Sequence, residues 1–219
     1  MNESGQRVKF TLNRVAAPDT RLPAEWTLLA KALKELQVLG YFSAMGDGRT
    51  TGNIAMKLGE DLIVSRSGRS GILFEAADFV KVTQFHCPTW QATYESSDEN
   101  CMPSSDTPLY WTALMDVPYK MKWGMKPGFA IHGHSLYIDE IAENFGIPIS
   151  PEETEFSTPE DRESFVKLLQ DYPYPDNKTY IRRGHGFFIL SQDISEIVSL
   201  TQDLFQKESQ IKSGLRKTI

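Results

Sequence analysis

Cysteine is nearly absent from this 219-residue chain, which has only Cys87 and Cys101. Two cysteines are too few for a disulfide framework and do not stand at zinc-ribbon spacing, so both are expected to be free thiols. Long apolar runs are also missing. No window approaches the roughly 18 to 20 apolar residues that a bilayer span needs. Met1-Asn2-Glu3-Ser4 leads into polar sequence rather than an apolar signal core, so a cytoplasmic protein without a membrane partner is expected. Positive charge is in deficit. The 23 basic residues against 29 acidic ones give a net charge of -6, which repels a phosphate backbone and argues against nucleic acid as a partner. In a cytoplasmic chain the one sequon, Asn177-Lys178-Thr179, reads as a chance match.

What is present is the composition of an ordinary globule, 40% hydrophobic and 24% charged, long enough to bury a core. Residues 1–22 read as a polar N-terminal tail, 23–208 as one domain and 209–219 as a C-terminal tail. Between Pro23 and Gly40, Trp26, Leu29, Leu33 and Leu36 recur at helical spacing. From Thr51 the period changes: Asn53 to Leu58 and Leu62 to Ser65 form a predicted hairpin around Gly59-Glu60-Asp61, and Ala77 to Val82 is a further strand. The polar stretch from Gln84 to Met102 reads as a loop or a surface hairpin. Asp106-Thr107-Pro108 supplies a capping oxygen and a first-turn proline for a helix running through Trp111 towards Met115. Phe129 to Ile131 enters a buried strand, and a helix follows from about Ser135 to Asn144, ending at Gly146. Thr158-Pro159-Glu160-Asp161 opens another helix with a capping-box pattern. Thr179 to Arg182 and Phe187 to Leu190 are strands, and Asp193 with Glu196 begins the last helix. Helices and strands that alternate without repeats or a linker predict a single layered α/β domain.

Two of the four histidines stand in Ile131-His132-Gly133-His134. Side chains two apart on a strand share a face, so His132 and His134 can converge on one ion, although surface or core histidines give the same pattern. His185 also follows a strand, and its flanking glycines let another group approach closely. Three neutral imidazoles with an open fourth position suit a catalytic zinc. His86, beside Cys87 and Pro88, reads as a bystander. Pro103-Ser104-Ser105-Asp106 offers hydroxyls and backbone N–H groups at a helix mouth, where they either hold an anion or simply cap the helix. The turns Thr51-Gly52-Asn53 and Ser67-Gly68 have the same anion-binding chemistry.

The order and spacing of Gly52-Asn53-Ile54, Ser67-Gly68, Asp78-Phe79-Val80, Pro103-Ser104-Ser105-Asp106, His132-Gly133-His134 and Gly184-His185-Gly186 resemble the class II aldolase/adducin family. The family includes sugar-phosphate aldolases, ribulose-phosphate 4-epimerase, methylthioribulose-phosphate dehydratase and the non-catalytic head domain of adducin. The resemblance spans about residues 25 to 208 and implies a three-layer α/β/α domain around a central, mainly antiparallel sheet. It implies zinc, or another divalent metal, on His132, His134 and His185. Asp106 becomes a metal ligand or proton-transfer group, and Asn53, Ser67, Gly68, Ser104 and Ser105 a phosphate pocket. The implied activity is that of a lyase or isomerase on a small phosphorylated ketose, in a homotetramer with active sites between subunits. An adducin-like interaction module and a dehydratase-like enzyme are the alternatives. The carboxylate after the paired serines is glutamate in typical aldolases of the family, whereas Ser105-Asp106-Thr107-Pro108 follows the epimerase branch.

A second acid/base group comes, in the family, from a neighbouring subunit. Here Glu152, Glu153 and Glu155 are available, with Glu153 favoured by its spacing from Ile147-Pro148. A solvated acidic face, with nine acids against Arg162 alone between Asp139 and Glu163, explains them as well. The interval from His134 to His185 is shorter than in sugar-phosphate aldolases, and no tyrosine tail precedes Ile219. Arg182-Arg183 is similar to the dehydratase branch, with Gly184 inserted before the histidine.

Overall fold

Apolar residues occupy both faces of the central strands, the pattern of a sheet covered on two sides rather than one. The computed structural model describes residues 8–17, 23–42, 51–68, 75–96 and 98–214. In chain order the elements are β1 (Thr11–Ala16), α1 (Trp26–Val38), β2 (Asn53–Leu58), β3 (Asp61–Ser65), β4 (Phe79–His86), β5 (Gln91–Ser96), α2 (Thr107–Trp111), α3 (Val117–Lys120), β6 (Phe129–Gly133), α4 (Ile138–Phe145), α5 (Pro159–Asp171), β7 (Thr179–Arg182), β8 (Gly186–Ser191) and α6 (Ile194–Lys212). One eight-stranded sheet runs β1-β5-β4-β3-β2-β6-β8-β7. All its pairings are antiparallel except β1 with β5.

Successive residues of each strand serve opposite layers. On β8, Phe187 and Ile189 face Leu29, Leu33, Ile141 and Ile197 from α1, α4 and α6. Phe188 and Leu190 face Leu109, Tyr110, Phe165 and Leu169 from α2 and α5. Two hydrophobic cores thus sandwich the sheet, and the molecule is a three-layer α/β/α domain. No helix among the described residues is long and apolar enough to cross a membrane.

One open alternative is decided and several elements differ from expectation. Of the loop and hairpin readings of Gln84 to Met102, the hairpin holds: β4 extends to His86, turns through Cys87–Thr89, and β5 returns with strictly alternating burial. Gln91, Thr93 and Glu95 form the half-buried side of this period-2 strand, and their polarity makes the run look loop-like. Within the stretch read as an N-terminal tail, Thr11–Ala16 joins the sheet edge beside β5. Only one face of that edge strand is covered, so its six residues carry little apolar signal. The helix after Asp106 is divided into α2, a π-helical turn at Thr112–Asp116, and α3, which restarts with Pro118 in its first turn. At the far end, α6 continues to Lys212, beyond the expected boundary at 208. Capping holds where it is simplest: the Thr158 and Asp193 side chains accept from Asp161 and Ser195 amides. Glu196 is drawn instead to Lys178, 2.5 Å away, and to the Ser191 hydroxyl.

Candidate metal centre and active site

Strand register assembles the site at one end of the sheet. His132 of β6 stands opposite Asn53 of β2 on one side and Phe188 of β8 on the other. β6 ends at Gly133, leaving His134 just beyond the strand. The β7–β8 hairpin turns through Gly184 at φ +67°, and the His185 amide donates to the Arg182 carbonyl at 3.0 Å, which brings this histidine back over the end of β6. Glycine is required at 186 because the strands approach so closely. A Cβ there would lie 2.3 Å from the Gly133 carbonyl oxygen and 2.9 Å from His132 Cε1.

The three imidazoles meet. One ring nitrogen from each of His132, His134 and His185 lies within 4.8 Å of the others, and the Nε2 atoms of His132 and His134 are 3.2 Å apart. Two imidazoles bound tetrahedrally to one ion at 2.0–2.1 Å have nitrogens about 3.3 Å apart, so this pair is already spaced for a shared metal. His132 is wholly buried, and its Nδ1–H donates to the Phe187 carbonyl at 2.8 Å, leaving the Nε2 lone pair turned into the cluster. Burial holds the His132 pKa well below the ordinary histidine value. Burial, with the Arg182 charge second, lowers that of His185 to about 2. Both rings are therefore neutral at physiological pH, the form that ligates metals, and the donor set fits a divalent cation. His86 contacts Thr89 in the β4–β5 turn and is not part of the group. Cys87 and Cys101 are free thiols, both raised in pKa by burial.

Asp106 departs from its expected role as a cap. It occupies the N-cap position of α2, yet its side chain makes no capping bond. Its carboxylate turns to the cluster instead, with Oδ2 3.8 Å from His132 Nε2 and accepting from Asn53 Nδ2 at 2.9 Å. Asn53 is held in turn by Tyr110, whose hydroxyl lies 2.5 Å from Asn53 Oδ1 and 2.7 Å from the Asn53 carbonyl oxygen. Sequence reasoning passed over Tyr110, which looks like core. It gave Arg182 no part in the site, although an arginine following Tyr180-Ile181 on an inward-facing strand implies a buried carboxylate partner. The Arg182 guanidinium is almost fully buried between Asp161 at 2.5 Å and Asp106 at 3.5 Å.

The expected phosphate residues differ in what they already bind. The Ser67 amide donates to Met102 O at 2.8 Å and the Ser104 amide to Ser65 O at 3.1 Å, so the Ser67-Gly68 turn and the Ser104-Ser105 run lie side by side. The Asn53 amide is committed to Asp106 and Tyr110. Of the three glutamates, Glu153 packs on the His185 turn of its own chain: a Cβ at Gly184 would lie 2.6 Å from its carboxyl carbon. Glu155 pairs with Lys9 at 2.6 Å, and Glu152 accepts the Ser150 hydroxyl at its backbone. Phe156 stacks on His185 with ring centroids 5.8 Å apart. Most acids between Asp139 and Glu163 are exposed, in keeping with a solvated face, but Asp161 is buried.

No family model and no curated protein matches the sequence. Solved structures do match. A sugar-phosphate aldolase from Thermotoga maritima superposes with a TM-score of 0.65 at 14% identity, over 89% of this chain and 97% of the other. L-fuculose-1-phosphate aldolase from Thermus thermophilus gives 0.58 at 14% identity, over 87% and 94%. The N-terminal class II aldolase domain of a Thermoplasma acidophilum protein gives 0.59 at 13%, over 89% and 97%. The fold is that of the class II aldolases, in agreement with the resemblance seen in the motifs.

Proposed function

We propose that the protein is a zinc-dependent lyase or isomerase acting on a small phosphorylated ketose. The observation that carries this reading is the convergence of three imidazoles, two of them held neutral by burial, and one buried carboxylate, Asp106, at the end of β6 in a class II aldolase fold. A divalent ion on His132, His134 and His185 would supply Lewis acidity towards the substrate carbonyl, favouring negative charge where an enediolate develops. Asp106, steered by Asn53, exchanges the proton at the enediolate carbon. In cleavage, a base takes the proton of the hydroxyl on the carbon released as aldehyde, and the electron pair of the broken C–C bond remains on the ketose side until carbon is reprotonated. Glu153, beside the His185 turn, is the proposed group at that far end. Ser67, Gly68, Ser104 and Ser105 are the proposed phosphate contacts, with Asn53 serving Asp106 in the first place. The metal-ligand triad and Asp106 favour catalysis over an adducin-like binding module.

Purified protein is expected to hold about one zinc per chain, with His134→Ala losing it. Elemental analysis finding equal zinc in both would refute the ligand assignment. A panel of phosphorylated ketoses, read by aldehyde release, tests the reaction. Metal-loaded protein that turns over none of them would remove the lyase reading.

A further inference from the structure

We infer that Arg182 is a positioning residue, whose guanidinium joins Asp106 to Asp161 and thereby fixes both the acid/base carboxylate and the segment that covers His185. The inference rests on the proposed role of Asp106. Nη1 reaches Asp106 Oδ1 at 3.5 Å and Nη2 reaches Asp161 Oδ1 at 2.5 Å, so two arms of one rigid fork hold two carboxylates that are far apart in the chain. Asp161 is itself anchored, accepting from the Ser157 amide at 3.0 Å and the Thr154 hydroxyl at 3.1 Å. Between those two anchors lie Glu155 and Phe156, and Glu153 immediately precedes them. Phe156 stacks on His185 and Glu153 rests on Gly184, so whatever holds Asp161 also holds the cover of the candidate site. The Ser157 hydroxyl donates to Ser105 O at 2.8 Å, tying the same segment to the run that leads into Asp106.

Two further observations separate this role from charge neutralisation alone. Arg182 Nε is buried without a hydrogen-bond partner among the described residues. The fork is thus oriented by its two carboxylates at the expense of its third donor direction. The guanidinium carbon also lies 6.0 Å from the centroid of Phe188, the ring that stacks beneath His132. A lysine at 182 could neutralise Asp161, but its single ammonium is not a planar fork and cannot span both carboxylates in the same geometry.

The test compares full-length wild type with Arg182→Gln, Arg182→Lys and Asp161→Asn. It uses amide hydrogen exchange, thermal melting, and the exchange of dihydroxyacetone phosphate carbon-bound protons with D2O in the presence of zinc. In the last, a base removes the proton and a deuteron from solvent replaces it. Arg182→Gln and Asp161→Asn should speed amide exchange over residues 153–158 by roughly tenfold or more, with α6 unchanged. Arg182→Lys should melt near wild type yet lose about a hundredfold in the proton-exchange rate constant, with the half-saturating concentration within about threefold. Arg182→Lys at the wild-type rate, or amide exchange that rises uniformly or not at all, would overturn the inference. If wild type exchanges no dihydroxyacetone phosphate protons, the proposed function fails on that substrate, and the amide-exchange comparison still decides the role of Arg182.

Discussion

A carboxylate at the mouth of a helix ordinarily accepts from the amides of the first turn. Asp106 makes no such bond with its side chain; the Thr107 amide donates to the Ser104 carbonyl and the Leu109 amide to the Asp106 carbonyl, each at 3.0 Å. The freed carboxylate is steered by Asn53 and reaches the imidazole cluster. Asp106→Asn keeps the volume but can neither take up a proton nor present negative charge. Turnover is expected to fall by at least about a hundredfold while circular dichroism and cooperative melting persist. A variant that works at the wild-type rate would take Asp106 out of the mechanism. The chain was legible here in part. Asp106 and the three histidines could be picked out from short motifs, whereas Tyr110 and Arg182 could not, because their importance lies in partners that only folding brings near.

At the scale of elements, the site depends on how closely β8 lies against β6. Gly186→Ala would force a methyl group against the Gly133 carbonyl and His132 Cε1, and the backbone atom cannot swing aside as a flexible side chain can. The expected cost is about 1–3 kcal/mol, the range for overpacking a tight site, together with weakened zinc retention because His132 is displaced. Denaturant melts and metal analysis of the same sample check both, and a variant indistinguishable from wild type in each would show that the strands yield at no cost. The hairpin β2–β3 and the helices α1, α4, α5 and α6 were foreseeable from period and punctuation. β1 was not, and β5 only as one of two alternatives, since a strand with polar residues on one side offers a short, weak alternation.

Across the whole molecule, the candidate site opens at one end of an eight-stranded sheet, and Glu153 reaches the His185 turn from within the same chain. A homotetramer with sites between subunits is the assembly proposed by resemblance. Sedimentation equilibrium is expected to give about four times the 24.8 kDa chain mass. A monomeric mass would confine the proton-transfer groups to one chain and leave Glu153 to act there. The layered architecture itself was readable, because strands buried on both faces give unbroken apolar runs such as Phe187 to Leu190.

The sequence by itself determined the layered α/β character, most elements and the four residues proposed for metal and proton chemistry, because each stands in a short motif marked by local spacing, a helix mouth or a strand end. Tertiary structure alone decided that His185 returns to His132 and His134, since that requires the β7–β8 hairpin to pair beside β6. It also decided that Arg182 lies between Asp106, 76 residues away, and Asp161, 21 residues away. No local pattern encodes such a contact: a buried charge finds its partner through the packing of layers, and only the closed sandwich brings those carboxylates within its reach.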